Sequence, residues 1–232
     1  MVGTEATQGT EVQEKTRLDR ETIIEAGLRI AAKPGTTTVT VRELGTMLGT
    51  DPTAIYRHFR NKESLMQALL DHLLAIGLSG VTAPREQWRE RVLQLANSTL
   101  DAFVTYPAIG LEAIVLSTDG PAELDSIEFM LDAVSQSGLT GDDLVRHYAS
   151  LASYVISYAS GIAREHSLSK SVTSDEALPW VGRPLAVTAR SHPHIDELRT
   201  ELTALQDRDI YLLGINALLD AAESAGKLAT AP

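Results

Sequence analysis

Apolar residues return every three or four positions along most of this chain, the period of helices that bury one face. Ile23, Ala26, Gly27, Ile30 and Ala31 repeat in this way. The spacing predicts a helix from Arg20 to about Lys33, with Asp19 as its N-cap and Pro34–Gly35 as its stop. After a short polar threonine run, "TVRE" from Thr40 to Glu43 matches a capping box, a threonine whose side chain and a glutamate three residues on satisfy each other's backbone N–H. It opens a short helix through Val41, Leu44 and Leu48, which Gly49 ends. Thr50 or Asp51 caps the next helix, with Pro52 in its first turn. Asn61 then caps a longer helix carrying Leu65, Ala68, Leu69, His72, Leu73 and Ile76. Between Thr40 and Phe59 there is room only for two helices and a tight turn, which is the helix-turn-helix unit.

"GLSGVTAP" (77–84) is punctuated by Gly and Pro and reads as a boundary. Beyond it the helical pattern resumes over about 84–105, 107–117, 121–137, 140–166, 194–204 and 206–225. The segment Ser167–Pro193 holds three prolines and is expected to be a long loop. Val, Ile and Thr never alternate with polar residues long enough to suggest a sheet. The fold class expected is all-α, with nine or so helices in three parts: a disordered polar tail (1–17), a three-helix helix-turn-helix domain (18–78) and a C-terminal helical bundle (79–232).

Composition narrows the chemistry. The 232 residues suffice for a sizeable core, and the 44% apolar and 22% charged content is that of a globular protein. The absence of cysteine excludes a disulfide scaffold, a thiolate metal site and a thiol nucleophile. The polar N-terminus lacks the features of a secretory signal, and no apolar run approaches the roughly 20 residues of a bilayer span. A cytoplasmic protein with no membrane partner is expected.

Net charge is −11, but it is unevenly spread. From Lys15 to Lys62 nine basic side chains face five acidic ones, a local +4 that leaves −15 for the remainder. Such asymmetry hints at a nucleic-acid-binding part joined to another part. Within "TDPTAIYRHFRNK" (Thr50–Lys62), Ile55 and Phe59 lie four apart and share the face that packs on Leu44, Leu48 and Leu65. Thr53, Tyr56, Arg57 and Arg60 fall on roughly the opposite face, which is polar, cationic and exposed. These side chains are good donors to phosphate oxygens, and short residues at the helix start (Thr53, Ala54) let the backbone approach base edges. The helix N-termini at Thr40 and Asn61 offer further N–H groups to phosphates. The competing reading has Tyr56 and His58 as half-buried packing residues and the arginines as a solvated surface. It leaves the capped preceding helix, the glycine turn and the local positive charge unexplained. Asp51 opposes phosphate binding, an effect partly offset at an N-cap by the helix dipole.

"TVRELGTMLGTDPTAIYRHFRNKESLMQALLD" resembles the DNA-binding domain of TetR-family transcriptional repressors of bacteria, most specifically through Tyr56, His58, Phe59, Lys62, Glu63 and Leu65. The resemblance covers about residues 18–75. By matched position it implies contacts to operator DNA from Thr40, Arg42, Thr50, Thr53, Ala54, Tyr56, His58 and Lys62. Two departures stand out: Gly45 where the family usually has Ala, and Asp51–Pro52 in place of small or basic residues. The resemblance implies that residues 79–232 bind a small-molecule effector and form a homodimer through the 140–166 and 206–225 helices. It implies neither enzyme activity nor a cofactor.

The last helix carries Ile210, Leu213, Gly214, Ala217 and Ala221 along one face, and the 140–166 helix carries Leu144, Tyr148, Leu151, Ala152, Val155, Ala159, Ile162 and Ala163. Either set serves a four-helix dimer bundle or plain intramolecular core. Candidate pocket residues are Trp88, Phe103, Tyr106, Phe129, Tyr154, Tyr158 and Trp180, with Leu95 and Ile109 beside them, and the scarcity of charge favours an apolar or weakly polar effector. The alternative function is an all-α enzyme or carrier whose basic N-terminal region holds an anion. Rival motifs are weak. "SLSK" (Ser167–Lys170) lacks the companion motifs of a Ser-x-x-Lys site. "HPH" (His192–His194) lacks further metal ligands.

Overall fold

In the computed structural model, which describes residues 18–33, 35–169 and 185–229, every regular element is helical. The expected tail over 1–17 lies outside the described residues. α1 (Arg20–Ala31), α2 (Val41–Leu48), α3 (Pro52–Ile55) and α4 (Lys62–Ser79) form the N-terminal part. α5 (Trp88–Thr105), α6 (Pro107–Gly110), a single 3-10 turn (Leu111–Ile114), α7 (Pro121–Ser135), α8 (Gly141–Ser169), α9 (Pro193–Glu197), α10 (Arg199–Ala204) and α11 (Asp207–Ala229) complete the chain.

The local signals act as expected at three helix starts. The Asp19 carboxylate accepts the Thr22 N–H, Thr40 and Glu43 form the full capping box, and Asn61 and Ser64 form a second one. Gly49 closes α2 in the left-handed region at φ 62°, where a side chain is strained. Ile55, Phe59, Leu44 and Leu65 are buried together, with Leu48 against them.

Five expectations need correction. α3 has one helical turn only: Tyr56, Arg57 and His58 donate three residues back, to Thr53, Ala54 and Ile55, so the chain tightens into 3-10 turns to drive Phe59 into the core. The expected 107–117 helix is short α6 followed by the 3-10 turn, and the expected 194–204 helix is interrupted at Leu198. Gly77 belongs to α4, where it packs on Thr99 of α5, so that helix runs beyond the expected Ile76. The expected loop after residue 166 starts later, because α8 continues to Ser169.

The Gly45 and Pro52 departures share one physical cause. A Cβ at Gly45 lies 2.9 Å from the Thr50 carbonyl oxygen and 3.1 Å from the Pro52 ring, so the proline fills the space a methyl needs. Gly45→Ala is expected to lower unfolding stability by about 1 kcal/mol even though alanine favours helix by about that amount. Gly45→Ala with Pro52→Ala is expected to recover part of the loss. Urea melts of both variants check this.

One continuous core runs from α1 to α11. α4 packs on α5 and α7, and α8 packs on α5, α7 and α11. Of the α8 residues singled out from the sequence, Leu151, Val155, Ala159, Ile162 and Ala163 face inward and are buried. The outward stripe of α8 is instead Val145, Ala149, Ser153, Ser157 and Gly161. On α11, Leu213 (70% exposed), Ala217, Ala221 and Leu228 (79%) form a second outward stripe of small and apolar residues.

Where α8 meets the start of α11, Glu165 hydrogen-bonds Asp207. Burial, together with the Asp207 side chain and charge, pushes the Glu165 carboxyl up to about 7. A carboxyl raised in the folded state stabilises below its unfolded value of 4.5, and that contribution is lost as pH rises towards 7. Glu165→Gln is therefore expected to remove a fall in melting temperature between those two values, seen as a pH-dependent difference from wild type.

Candidate functional site

Exposed and half-buried donors collect around α2, α3 and the start of α4. Arg42, Thr53, Tyr56, Arg57, Arg60 and Lys62 are exposed, and Thr40, Thr50, Ala54 and His58 are half-buried. Arg42, Arg57 and Arg60 form no salt bridge among the described residues. The Lys62 ammonium donates to the Thr38 hydroxyl (3.2 Å). Thr38 stands two residues before the Thr40 cap, so the N-termini of α2 and α4 are neighbours. Arg20 does a different job. Its guanidinium lies 4.5 Å from the Phe59 ring centroid and reaches the His58 carbonyl (3.4 Å), pinning α1 to the turn after α3.

Asp51 accepts both the Thr53 hydroxyl (2.6 Å) and the Thr53 N–H (2.8 Å). These bonds, with the Arg57 charge nearby, hold its carboxyl below the usual range against a small opposing effect of burial. Asp51 is thus anionic at neutral pH, and it occupies the Thr53 hydroxyl proton. Thr53 keeps a methyl group and an accepting oxygen free for another molecule.

A second site lies deeper. A cavity of about 370 Å³ is lined by α4, α5, α7, α8 and the 3-10 turn, and it opens to the surface beside Ile114, Ser153 and Ser157. Leu74 comes from α4, Leu95 and Thr99 from α5, Ile127 and Met130 from α7, and Val155 and Ile156 from α8. Glu123 and Tyr148 supply its principal polar groups. The Glu123 carboxylate also organises the loop before α7, accepting the Thr118 and Asp119 N–H groups, each at 2.7 Å. The Thr118 hydroxyl lies 2.9 Å from both Glu123 and Asp71 of α4. Asp71 in turn accepts the Glu123 N–H (3.0 Å) and the Ala122 N–H (3.4 Å). It serves α7 as an N-terminal cap from another helix, because Gly120, at the cap position, has no side chain to do so.

Two family models match the chain, "Bacterial regulatory proteins, tetR family" over residues 23–69 and "Tetracyclin repressor-like, C-terminal domain" over residues 82–221. The chain belongs to the TetR family. Relatives within it include the tetracycline repressor protein class A from transposon 1721 of Escherichia coli, 26% identical over 142 residues. That match covers 61% of this chain and 65% of the repressor's length. The HTH-type transcriptional repressor DrrR1 of Streptomyces coeruleorubidus is 23% identical over 90% of this chain and 78% of its own. Among solved TetR-family structures, ActR from Streptomyces coelicolor in complex with actinorhodin superposes with a TM-score of 0.72 at 20% identity, covering 90% of this chain and 97% of that one. SCO7222 from the same organism gives 0.69 at 20%, covering 90% and 99%. At such identities these structures share the TetR fold.

The aromatic residues singled out from the sequence are placed elsewhere than this cavity. Phe103 is fully buried in the core. Trp88 starts α5 beside a surface groove, under the Arg89 guanidinium. Phe129 is covered by Arg91, 4.4 Å above its ring, and Arg91 is paired with Asp132 (2.8 Å). Tyr154 and Tyr158 stack with Tyr211 between α8 and α11, and the Tyr154 hydroxyl donates to the Ile210 carbonyl (3.3 Å). Tyr106 follows α5 and caps α6. Trp180 lies outside the described residues. Leu95 alone of the wider set lines the cavity. Glu123 and Tyr148 were missed as pocket residues. An acidic residue in the first turn after Pro121 reads as an ordinary helix start, and Tyr148 was read as part of a packing stripe.

Proposed function

We propose that this chain is a DNA-binding transcriptional repressor that grips an inverted-repeat operator as a homodimer and releases it when a small molecule fills the cavity. The observation that carries this reading is α4. One unbroken helix of 18 residues bears Lys62 and its Asn61 cap at one end, and Asp71 and the cavity residue Leu74 further along. In this reading a shift of α7 against Asp71 is carried along α4 to its start.

In this reading Thr53 and Ala54 meet base edges, the Thr53 methyl against a thymine methyl. Thr40, Arg42, Thr50, Tyr56, His58 and Lys62 meet phosphates, and Arg57 and Arg60 add general attraction. The outward stripes of α8 and α11 pair with those of a second copy, which spaces the two α3 segments about one DNA turn apart. A ligand that binds better to a wrongly spaced arrangement lowers operator affinity by linkage. The cavity residues we propose for that ligand are Leu74, Glu123, Ile127, Met130, Tyr148 and Ile156, in place of the aromatic set. A tetracycline repressor, a transcriptional repressor and a TetR-family protein solved in complex with actinorhodin among the relatives are in keeping with this reading.

The test is fluorescence anisotropy with duplex DNA from upstream of the gene, at salt between about 50 and 200 mM. Binding is expected to weaken steeply with salt. Lys62→Ala is expected to reduce the log–log salt slope by about 0.9, the value of one phosphate contact, on every duplex tried. Thr53→Ser, which keeps the hydroxyl and removes the methyl, is expected to change base preference with the slope unaltered. Salt-independent binding, or the same response to both substitutions, contradicts the assignment.

A further inference from the structure

The cavity has a charge but no counter-charge. Among the described residues, Glu123 is the one ionisable acid or base lining it apart from the Tyr148 phenol, and no described Lys, Arg or His lines it. Among the described residues, every group that hydrogen-bonds the Glu123 carboxylate is neutral: backbone N–H from Thr118 and Asp119, and hydroxyls of Ser117 and Thr118. These partners crowd Oε2, whereas Oε1 receives the Ser117 hydroxyl alone (3.0 Å). Burial pushes the carboxyl up, but the hydrogen bonds from Thr118, Asp119 and Ser117 outweigh it and leave it below its ordinary value. Glu123 is therefore ionised at neutral pH. Burial and the Glu123 charge raise the Tyr148 phenol, which stays protonated, and its hydroxyl has no hydrogen-bond partner among the described residues.

Resting on the effector reading above, we propose that the occupant of this cavity is a small organic monocation, an ammonium-type head on an apolar or aromatic body. The head meets Glu123 Oε1 and the Tyr148 ring and hydroxyl, and the body lies along Ile127, Met130, Val155 and Ile156. Electrostatics selects this class. In a partly desolvated cavity an uncompensated carboxylate attracts a cation strongly and repels an anion by a comparable amount. A phenol ring adds attraction for a cation. A neutral ligand gains only the apolar contacts. The size, about 370 Å³, is at the small end of ligand pockets, which suits a compact amine. This departs from the apolar or weakly polar effector expected from the sequence: the walls are largely apolar, but the one charge sits where the ligand's head must lie.

The test uses three probes with one shared body: phenylbutylamine (protonated at neutral pH), phenylbutanol and phenylbutyrate, titrated by calorimetry into the full chain. The amine is expected to bind about 10- to 100-fold more tightly than the alcohol, the range of a charge-assisted hydrogen bond, and the carboxylate more weakly than the alcohol. Glu123→Gln is expected to erase the preference for the amine while the alcohol binds as before. Ala152→Phe, which fills the cavity from α8, is expected to block all three. Alcohol binding that Ala152→Phe blocks, with no preference for the amine in the wild type, overturns the charge assignment and leaves the cavity reading standing. Failure of all three probes to bind the wild type overturns the cavity reading and this proposal together. The wild-type ranking decides the matter even where the Glu123 variant does not fold.

Discussion

Leu213→Glu in α11 is expected to leave a folded monomer that has lost about a thousandfold or more of its operator affinity. Leu213 is 70% exposed at the N-terminal end of the outward α11 stripe, and Leu228 further along the same helix is 79% exposed. Large apolar side chains aligned on one surface mark an interface, and a buried charge facing its own copy across a two-fold axis is strongly unfavourable. If each α3 segment contacts one half-site, as proposed, a monomer retains only the weaker, largely electrostatic attraction to DNA. Because the side chain is exposed in the isolated chain, thermal unfolding at low concentration changes little. Sedimentation and anisotropy on the same sample separate the two effects. A dimer that persists in the variant moves the interface away from α11, and full operator affinity in a proven monomer removes the need for a dimer.

Asp71→Ala is expected to uncouple the cavity from DNA. In the wild type a cavity ligand is expected to weaken operator binding by about 5- to 150-fold, the usual span of allosteric coupling. In the variant the same ligand, phenylbutylamine for example, is expected to bind but to leave operator affinity within about twofold, far below that span. The reason is geometric. Asp71 is the α4 side chain that caps α7, through the Thr118 hydroxyl and the Ala122 and Glu123 N–H groups, and Glu123 faces the cavity, whereas Gln67 of α4 holds only the preceding loop, donating to the Ser117 carbonyl (3.0 Å). Leu74 still lines the cavity from α4 but through nondirectional contact. The loss of the cap itself lowers stability by about 1 kcal/mol. Asp71→Asn, which keeps an acceptor oxygen, is expected to retain part of the coupling. Undiminished release in Asp71→Ala routes the signal through the apolar wall instead.

The sequence revealed the features whose causes are local. Thr40 with Glu43, Asn61 before α4, and the Gly49 stop were legible because a cap is a short-range bargain between a side chain and nearby N–H groups. Ile55 and Phe59 were legible as a core pair from their spacing. The one-turn length of α3 was not, because burial of Phe59 against Leu44 and Leu65 tightens the chain after Ile55, and that is a tertiary effect. The cavity was the least legible part. A large aromatic such as Phe103 was conspicuous in the sequence, yet it fills space and so ends in the core. A cavity arises where side chains stop short, here beside Ala113, Ala152 and Ser126, and no single residue announces it. The meaning of Gly45 was equally hidden until Pro52 was found against it.

The operator reading requires a dimer that meets two half-sites, one for each α3. Selection of bound duplexes by the purified chain from a random-sequence library tests it most directly. The expected result is one enriched inverted repeat, its half-site centres about 10 base pairs or a small multiple of that apart. Enrichment of a single unrepeated site, or of no sequence at all, contradicts it.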